Sequence, residues 1–217
     1  MIERKETRQY TLTVEGETEK MYFEWFQKEI NTSENARYKV KINASIQQFP
    51  LSYIKKLNTK STPSVVHICD VEGKSAEDIE KFHNVLSQLK EAKEQKHIEY
   101  GLGYTNLTFE LWMILHKKDC NAPFSDRSQY LAPINSAYNE KFNSLKSYKE
   151  ERNFKRCLSK LSLSDVKDAV RRAEKITQNN KEIGNPQKSY KGFRYYQDNP
   201  SLSIWEIVEE ILTECIQ

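Results

Sequence analysis

Long apolar runs are missing from this sequence. No stretch approaches the roughly 18 consecutive apolar residues of a membrane-spanning helix, and the first residues lack the apolar core of a signal peptide. The four cysteines lie far apart and form no CxxC pair, which disfavours a zinc knuckle or a disulfide framework. The Walker-type phosphate-binding motif is also absent, so we expect no ATP hydrolysis by this chain. The sequence therefore indicates a cytoplasmic protein with reduced thiols and no membrane contact.

Charge is distributed unevenly, although the formal net charge is only +3. Residues 141–191 hold 14 lysines and arginines against 6 acidic residues, whereas residues 1–140 hold 19 against 20. Such a basic block can bind a phosphate backbone through counterion release. The alternative is an ordinary solvated helical face. With 11% aromatic residues the chain has enough bulky side chains to form a core.

Strand and helix patterns alternate along the first part of the chain. Apolar and polar residues alternate up to Val14, and apolar residues then recur at helical spacing from Tyr22 to Ile30. Residues 65–69 are a short apolar run, typical of a strand buried on both faces. Continued to His116, the order is β-α-β-α-β-α-β-α, which predicts an α/β fold with a mainly parallel sheet flanked by helices.

The last third of the chain has a different pattern. Residues 121–136 read as a loop, residues 137–160 as helical, and residues 184–200 as an aromatic and basic loop. Another helix carries a basic stripe of Lys167, Arg171 and Lys175, and Ser201 or Ser203 would cap a final amphipathic helix. We therefore predict an α/β core in residues 1–120 and a helical, basic C-terminal subdomain in residues 121–217, packed on that core.

Three acidic residues stand at the ends of predicted strands. Glu15 follows the first strand, and Asp70 and Glu72 follow the apolar run. The carboxyl ends of parallel strands meet at one edge of a sheet, so the three carboxylates should converge there. Such oxygens suit Mg²⁺ or Mn²⁺, with Glu15 as a ligand or a general base. Alternatively, Glu15, Glu17 and Glu19 only stabilise a helix N-terminus. The distant acidic pair favours the metal site.

Motifs along nearly the whole chain resemble those of RloB-type proteins, in the same order. They are Thr13-Val14-Glu15-Gly16-Glu17-Thr18-Glu19 with Tyr22-Phe23, then His67 to Glu72 in place of an Asp-x-Asp motif, Asn106 to Trp112 with His116, Tyr148-Lys149, Asp168 to Ala173, and Asn199-Pro200-Ser201. That family is similar to the Toprim superfamily, the catalytic module of topoisomerases, primases and several nucleases. The resemblance implies a Toprim-like core in which Glu15, Asp70 and Glu72 bind Mg²⁺. It also implies an ATPase partner of the AAA or ABC type and a role in phage defence of the abortive-infection or restriction type.

Two positions depart from the pattern of that family. Glu72 stands where aspartate is usual, and its longer arm would shift the ion. Leu107 stands where proline is usual, which we expect only to loosen the turn before the next helix.

Three further residues are catalytic candidates because the family motifs mark them. Glu110 follows a strand and can reach the metal site, and Lys149 can stabilise charge on a transferring phosphate, although it can equally be a surface cation. His116 can be a general acid or a residue at a helix C-terminus. Glu110 and His116 are six residues apart and so do not share a helix face.

The sequence favours a metal-dependent nuclease that cleaves RNA, such as tRNA, or DNA. Aromatic residues 190–196 would either stack unpaired bases or be buried against the core or a partner protein. The alternative is a non-catalytic Toprim-like module that binds nucleic acid or an ATPase partner. Primase or topoisomerase chemistry fits poorly, because no further domain and no nucleophilic tyrosine stand out. A homo-oligomer is compatible with either function.

Overall fold

The computed structural model describes residues 5–56, 64–96 and 98–217, with the side chains of residues 55, 56 and 96 left aside. Strands and helices alternate through the first half of the chain, as predicted. Their bounds are β1 (Thr7–Val14), α1 (Glu17–Thr32), β2 (Lys39–Ile46), α2 (Pro50–Lys56), β3 (Ser64–Val71), α3 (Ala76–Lys96), β4 (Glu99–Asn106) and α4 (Glu110–Leu115).

The four strands form one parallel sheet in the order β2-β1-β3-β4. The α/β fold with a parallel sheet is therefore confirmed. The register pairs Val14 of β1 with Ile46 of β2 on one side and with Ile68 of β3 on the other. Asp70 pairs with Thr105 at the end of β4. The carboxyl ends of all four strands thus reach one edge of the sheet.

Helix α1 buries the apolar face that its spacing predicts. Tyr22, Phe23 and Phe26 are fully buried, and the Tyr22 ring lies edge-on to the ring of Trp112 in α4 at 6.2 Å between centroids. Aromatic side chains bury large areas and prefer such edge-on pairs. The packing of α1 against α4 therefore fixes the segments that carry Glu15 and Glu110 relative to each other.

The last third contains more helix breaks than predicted. It begins with a short 3₁₀ helix (Arg127–Tyr130) and continues with α5 (Leu131–Tyr138), α6 (Leu145–Lys149), α7 (Glu151–Leu158), α8 (Leu163–Glu182) and α9 (Ile204–Cys215). The loop predicted over residues 121–136 is wrong in its second half, because Pro133 lies in the first turn of α5, where no N–H is needed. The helix predicted over residues 137–160 is interrupted at Asn139, whose φ of 50° ends α5 in the left-handed region.

The predicted aromatic loop is a β-hairpin in the structure. Strands β5 (Gln187–Tyr190) and β6 (Phe193–Tyr196) pair antiparallel around Lys191 and Gly192. Both turn residues have positive φ, 53° and 89°, as tight hairpin turns require. The hairpin packs on α3, with the rings of Tyr195 and Phe82 at 4.9 Å between centroids.

Helix α9 closes the sheet beside β4. Ser203 precedes α9, but its hydroxyl does not cap the helix. Instead it donates to the carbonyl of Leu102 and accepts from the N–H of Tyr104, at 3.2 and 3.1 Å. The capping role predicted for Ser203 is therefore wrong, because the edge of β4 uses its hydroxyl. Ser201 also lies before α9, and its carbonyl oxygen accepts a hydrogen bond from the N–H of Asn106 at 2.9 Å.

The turn after β4 is strained rather than loosened. Leu107 has a φ of 62°, and its N–H donates to the carbonyl of Val71 at 2.8 Å. Proline cannot adopt this φ, and it has no N–H to donate in this hydrogen bond. The expectation that Leu107 only loosens a proline turn is therefore wrong, because the backbone here follows a different path.

One hydrophobic cluster joins the two predicted parts of the chain. It includes Leu12 of β1, Trp112 of α4, Phe154 of α7 and Val208 of α9. The C-terminal helices are thus packed on the core, as predicted, while the boundary at residue 120 stays a prediction. Within the described ranges, no helix combines the length and the apolar character needed to cross a membrane.

Candidate active site

A cleft of about 590 Å³ opens at the carboxyl edge of the sheet. We call it the acidic cleft, and six carboxylates line it: those of Glu15, Glu17, Glu19, Asp70, Glu72 and Asp78. Lys149 and Arg127 line it as well. The three predicted metal ligands and the predicted lysine therefore meet in one place.

Glu15 is held between the end of β1 and the start of α1. Its Oε2 accepts the backbone N–H of Asp70 at 3.0 Å, so the first strand's carboxylate is tied directly to β3. The pKa of Glu15 is raised to about 7, mainly by burial and in part by the charges of Glu19 and Glu72. The Asp70 N–H and the Arg127 guanidinium act in the opposite direction.

Asp70 lies within β3 rather than beyond it, because the strand extends to Val71. Its Oδ1 accepts the Thr105 hydroxyl at 2.8 Å. Burial holds the pKa of Asp70 well above its usual range, with further increases from Glu15, Glu19 and Glu110. A carboxylate crowded by like charges in this way is one that an added cation would stabilise.

Glu72 stands at the mouth of the cleft and is half exposed. Its Oε1 lies 3.0 Å from a guanidinium nitrogen of Arg127, which comes from the 3₁₀ helix before α5. No sequence pattern identifies Arg127 as a residue of the site, because its position depends on how the chain folds back from residue 121. At this site the longer Glu72 side chain reaches an arginine instead of pointing toward Glu15.

Glu19 is buried beside Glu15. The sequence predicted only that Glu19 stabilises the helix N-terminus. Its carboxylate accepts the Thr18 hydroxyl at 3.1 Å, and burial raises its pKa. A Cβ at Gly16 would lie 3.0 Å from Glu19 Oε2, so the glycine leaves room for this carboxylate. The four-residue spacing of Glu15 and Glu19 was a signal available in the sequence.

Lys149 lies at the floor of the cleft and forms an ion pair with Glu110, which does not itself line the cavity. Glu110 is only 1% exposed, and its Oε1 lies 3.0 Å from Lys149 Nζ. Its other oxygen accepts the hydroxyl of Thr108. Burial opposes the charge on Lys149, but Glu110, Asp70 and Glu19 raise its pKa overall. Lys149 is therefore a partly buried cation with carboxylate neighbours rather than a solvated one.

His116 is not among the residues that line the acidic cleft. It is buried, with Nε2 3.1 Å from the Tyr22 hydroxyl and Nδ1 3.0 Å from the carbonyl oxygen of Trp112. Burial lowers its pKa to about 4. The structure thus shows a neutral, packed imidazole, and we do not give His116 a role in proton transfer.

The other predicted nucleic-acid contacts lie elsewhere. Tyr195 and Tyr196 are buried, and Tyr190 stacks on His83 with centroids 3.9 Å apart, so these hairpin aromatics pack on the core. The basic stripe on α8 does not line the acidic cleft, where Lys149 is the contribution of the basic block. The stripe residues Lys167 and Arg171 instead line a groove beside α9.

The donor set fits a divalent cation, although its present geometry does not. Seven carboxylates are opposed by Lys81, Arg127 and Lys149: the six that line the cleft, and that of Glu110 beside Lys149. Hard oxygen donors in excess of cations are what Mg²⁺ and Mn²⁺ prefer. Among the described residues, no three acidic, histidine or cysteine side chains stand in metal-ligating positions. Glu72 would have to leave Arg127, and Glu15 would have to turn, before both contact one ion.

Comparison with known families gives one match, which covers nearly the whole chain. A family model described as "RloB-like protein" matches residues 10–211. No curated protein and no solved structure matches the chain significantly. All residues of the acidic cleft lie inside the matched range.

Proposed function

The chain belongs to the RloB-like protein family, and from this we propose that it is a metal-dependent nuclease that cleaves the phosphodiester bonds of RNA, such as tRNA, or of DNA. The observation that carries the proposal is the convergence of Glu15, Glu19 and Asp70 in one cleft, where Glu19 raises the pKa of Glu15, and Glu15 and Glu19 both raise the pKa of Asp70. Folded proteins keep such mutual repulsion mainly where a cation or a reaction uses it.

A divalent cation bound by Glu15, Asp70 and Glu72 would polarise the phosphodiester and lower the pKa of an attacking water. The chain's own groups supply the rest. Lys149 is fixed by Glu110 and can hold a phosphate oxygen at the cleft floor. Arg127 can leave Glu72 and bind another phosphate oxygen at the mouth, where a guanidinium fork suits phosphate.

The biological setting of the proposal follows from family resemblance. We place the nuclease in the bacterial cytoplasm as an effector of phage defence, with an AAA- or ABC-type ATPase as its partner. The cleft itself is compatible with RNA and with DNA, because its charged side chains would contact phosphates rather than bases.

Cleavage of mixed RNA and DNA substrates with Mg²⁺ or Mn²⁺ tests the proposal, in the presence and absence of the proposed ATPase partner. We expect the wild type to cleave and Asp70→Asn to be at least 100-fold slower. Glu174→Gln, on an exposed part of α8, is the matched control and should cleave normally. Equal cleavage by the wild type and Asp70→Asn, or no cleavage under any condition, would overturn the proposal.

A second candidate function is a non-catalytic module that docks nucleic acid or an ATPase. The observation in its favour is that the Glu72–Arg127 and Glu110–Lys149 ion pairs already satisfy the carboxylates of Glu72 and Glu110. In that case Asp70→Asn should not weaken the binding of Mn²⁺, since no ion would bind at the cleft.

A further inference from the structure

A single aromatic ring stands exposed at the acidic cleft. Phe49 is 53% exposed, and it lines the same cavity as Glu15, Asp70 and Lys149. Among the described residues, the large hydrophobic side chains exposed to this degree are Phe49 and Ile183. A single exposed apolar side chain is common on protein surfaces, and what distinguishes Phe49 is that its ring lines the charged cleft.

The backbone holds Phe49 at this place. After β2, the N–H of Gln47 donates to the carbonyl of Val14 at 2.8 Å, which ties the segment to the residue before Glu15. The carbonyl of Phe49 accepts the N–H of Ser52 at 3.0 Å as α2 begins. The neighbouring apolar residue Ile54 is fully buried by comparison. Phe49 is therefore presented by a fixed segment and is left out of the core.

The cleft combines charged groups with side chains suited to a base. Phosphate would lie among its carboxylates, Arg127 and Lys149. Phe49 is accompanied by the apolar side chains of Phe82 and Val85 and by the amides of Gln48 and Asn84, and α3 also contributes the charged Asp78 and Lys81. Amides can hydrogen-bond the edges of a base while an aromatic ring stacks on its face. A volume of about 590 Å³ also falls in the usual range for small-ligand sites.

We propose that Phe49 stacks on an unpaired nucleobase, so that the acidic cleft acts on nucleic acid that presents an unstacked nucleotide, such as a single strand, loop or end. In a duplex both faces of a base are covered by neighbouring bases, and a ring at the cleft could not stack there. This inference rests on the proposed function. The hairpin aromatics do not compete for the role, because Tyr195 and Tyr196 are buried.

The test measures stacking directly and does not depend on cleavage. Single-stranded oligonucleotides with one 2-aminopurine are titrated with the full chain in Ca²⁺, and fluorescence quenching and anisotropy are recorded. We expect wild type and Phe49→Trp to quench the base, and Phe49→Ala to bind about tenfold more weakly without quenching, as expected for one lost base–aromatic stack. Ile183→Ala is the matched control, since Ile183 is 68% exposed but lines a different cavity, and it should behave as wild type.

Several outcomes would overturn the inference. These are equal affinity and quenching for wild type and Phe49→Ala, equal losses for Phe49→Ala and Ile183→Ala, or equal preference for duplex and single strand. Loss of an ATPase or self-association contact in Phe49→Ala with nucleic-acid binding unchanged would overturn it too, and would assign the ring to a protein interface. Quenching that depends on Phe49 in a chain that never cleaves would support base binding while the nuclease proposal fails, so the two failures are distinguishable.

Discussion

Glu15 and Asp70 are buried carboxylates whose surroundings disfavour their ionised forms. A group whose pKa is higher in the folded state than in the unfolded chain favours folding at low pH, and this contribution is lost as pH rises through the folded-state pKa. For Glu15 that window runs from about 4.5 to about 7. In the metal-free protein, deprotonation of these groups should therefore lower stability as pH rises across this window.

Replacing Glu15 by glutamine should stabilise the metal-free protein at pH 8. The variant removes a charge that burial, Glu19 and Glu72 all oppose. We expect the midpoint of thermal unfolding in EDTA to rise by roughly 2–5 °C at pH 8 and to approach that of wild type near pH 4.5. Glu17→Gln, an exposed residue in the first turn of α1, provides the comparison. A variant equally destabilised at both pH values would contradict the burial of an ionised carboxylate here.

Removing the lysine at the cleft floor should expose the cost of a buried, unpaired carboxylate. Lys149→Met leaves Glu110 almost fully buried without its cation. We expect a loss of about 1–3 kcal/mol in the free energy of unfolding, measured by urea denaturation at pH 8. The double variant Lys149→Met with Glu110→Gln should recover most of the loss. If the double variant were as unstable as the single one, the ion pair would not be the cause.

The sequence located Glu15 and Asp70 because strand ends are readable from hydrophobic periodicity. It gave no access to Arg127 or Phe49, whose roles depend on tertiary path and on exposure. Arg127 reaches the cleft from a segment that the sequence predicts to be a loop. Phe49 is distinguished from the buried aromatic residues by its exposure, which the sequence does not show. His116 was marked by family motifs, but motifs do not show that a side chain is enclosed on all sides.

At the scale of elements, the strands of the sheet were predictable and the hairpin was not. β1 has alternating apolar residues, and β3 is an apolar run. The hairpin strands Gln187–Tyr190 and Phe193–Tyr196 lack such alternation, and their turn uses Lys191-Gly192 instead of the favoured Asn-Gly. The hairpin strands have four residues each against eight in β1 and β3, so they also offer less sequence from which a strand can be predicted.

The contact between α9 and β4 depends on one hydroxyl group. Ser203 serves two backbone groups at the edge of β4, the Leu102 carbonyl and the Tyr104 N–H. Ser203→Ala should lower the free energy of unfolding by about 1–3 kcal/mol in urea denaturation, because each lost hydrogen bond contributes about 0.5–1.5 kcal/mol. Ser164→Ala, at an exposed position of α8, should change it by less than about 0.5 kcal/mol. Equal effects of the two substitutions would show that the hydroxyl does not hold the edge.

At the scale of the whole molecule, the C-terminal helices complete the core of the sheet domain. Every residue of α4 is buried, and α8 is among the helices packed against it. The predicted core of residues 1–120 includes α4 but not α8. Expressed alone, it would therefore expose the part of the α4 surface that α8 covers in the full chain.

A chain truncated after residue 120 should fail to unfold cooperatively, whereas the full chain should show one transition in calorimetry. The physical reason is the single hydrophobic cluster that runs from β1 to α9. Two separate transitions of the full chain, or a cooperative transition in residues 1–120, would instead support independent domains.

The central claim is that the acidic cleft binds a divalent cation through Glu15 and Asp70. The most direct measurement is titration calorimetry of the metal-free full chain with Mn²⁺ at pH 8, with folding checked by circular dichroism. We expect saturable binding by the wild type, binding weakened at least tenfold in Glu15→Gln and Asp70→Asn, and unchanged binding in Glu174→Gln, whose residue is exposed on α8 outside the cleft. A folded wild type that binds no Mn²⁺, or equal binding by all four proteins, would contradict the claim.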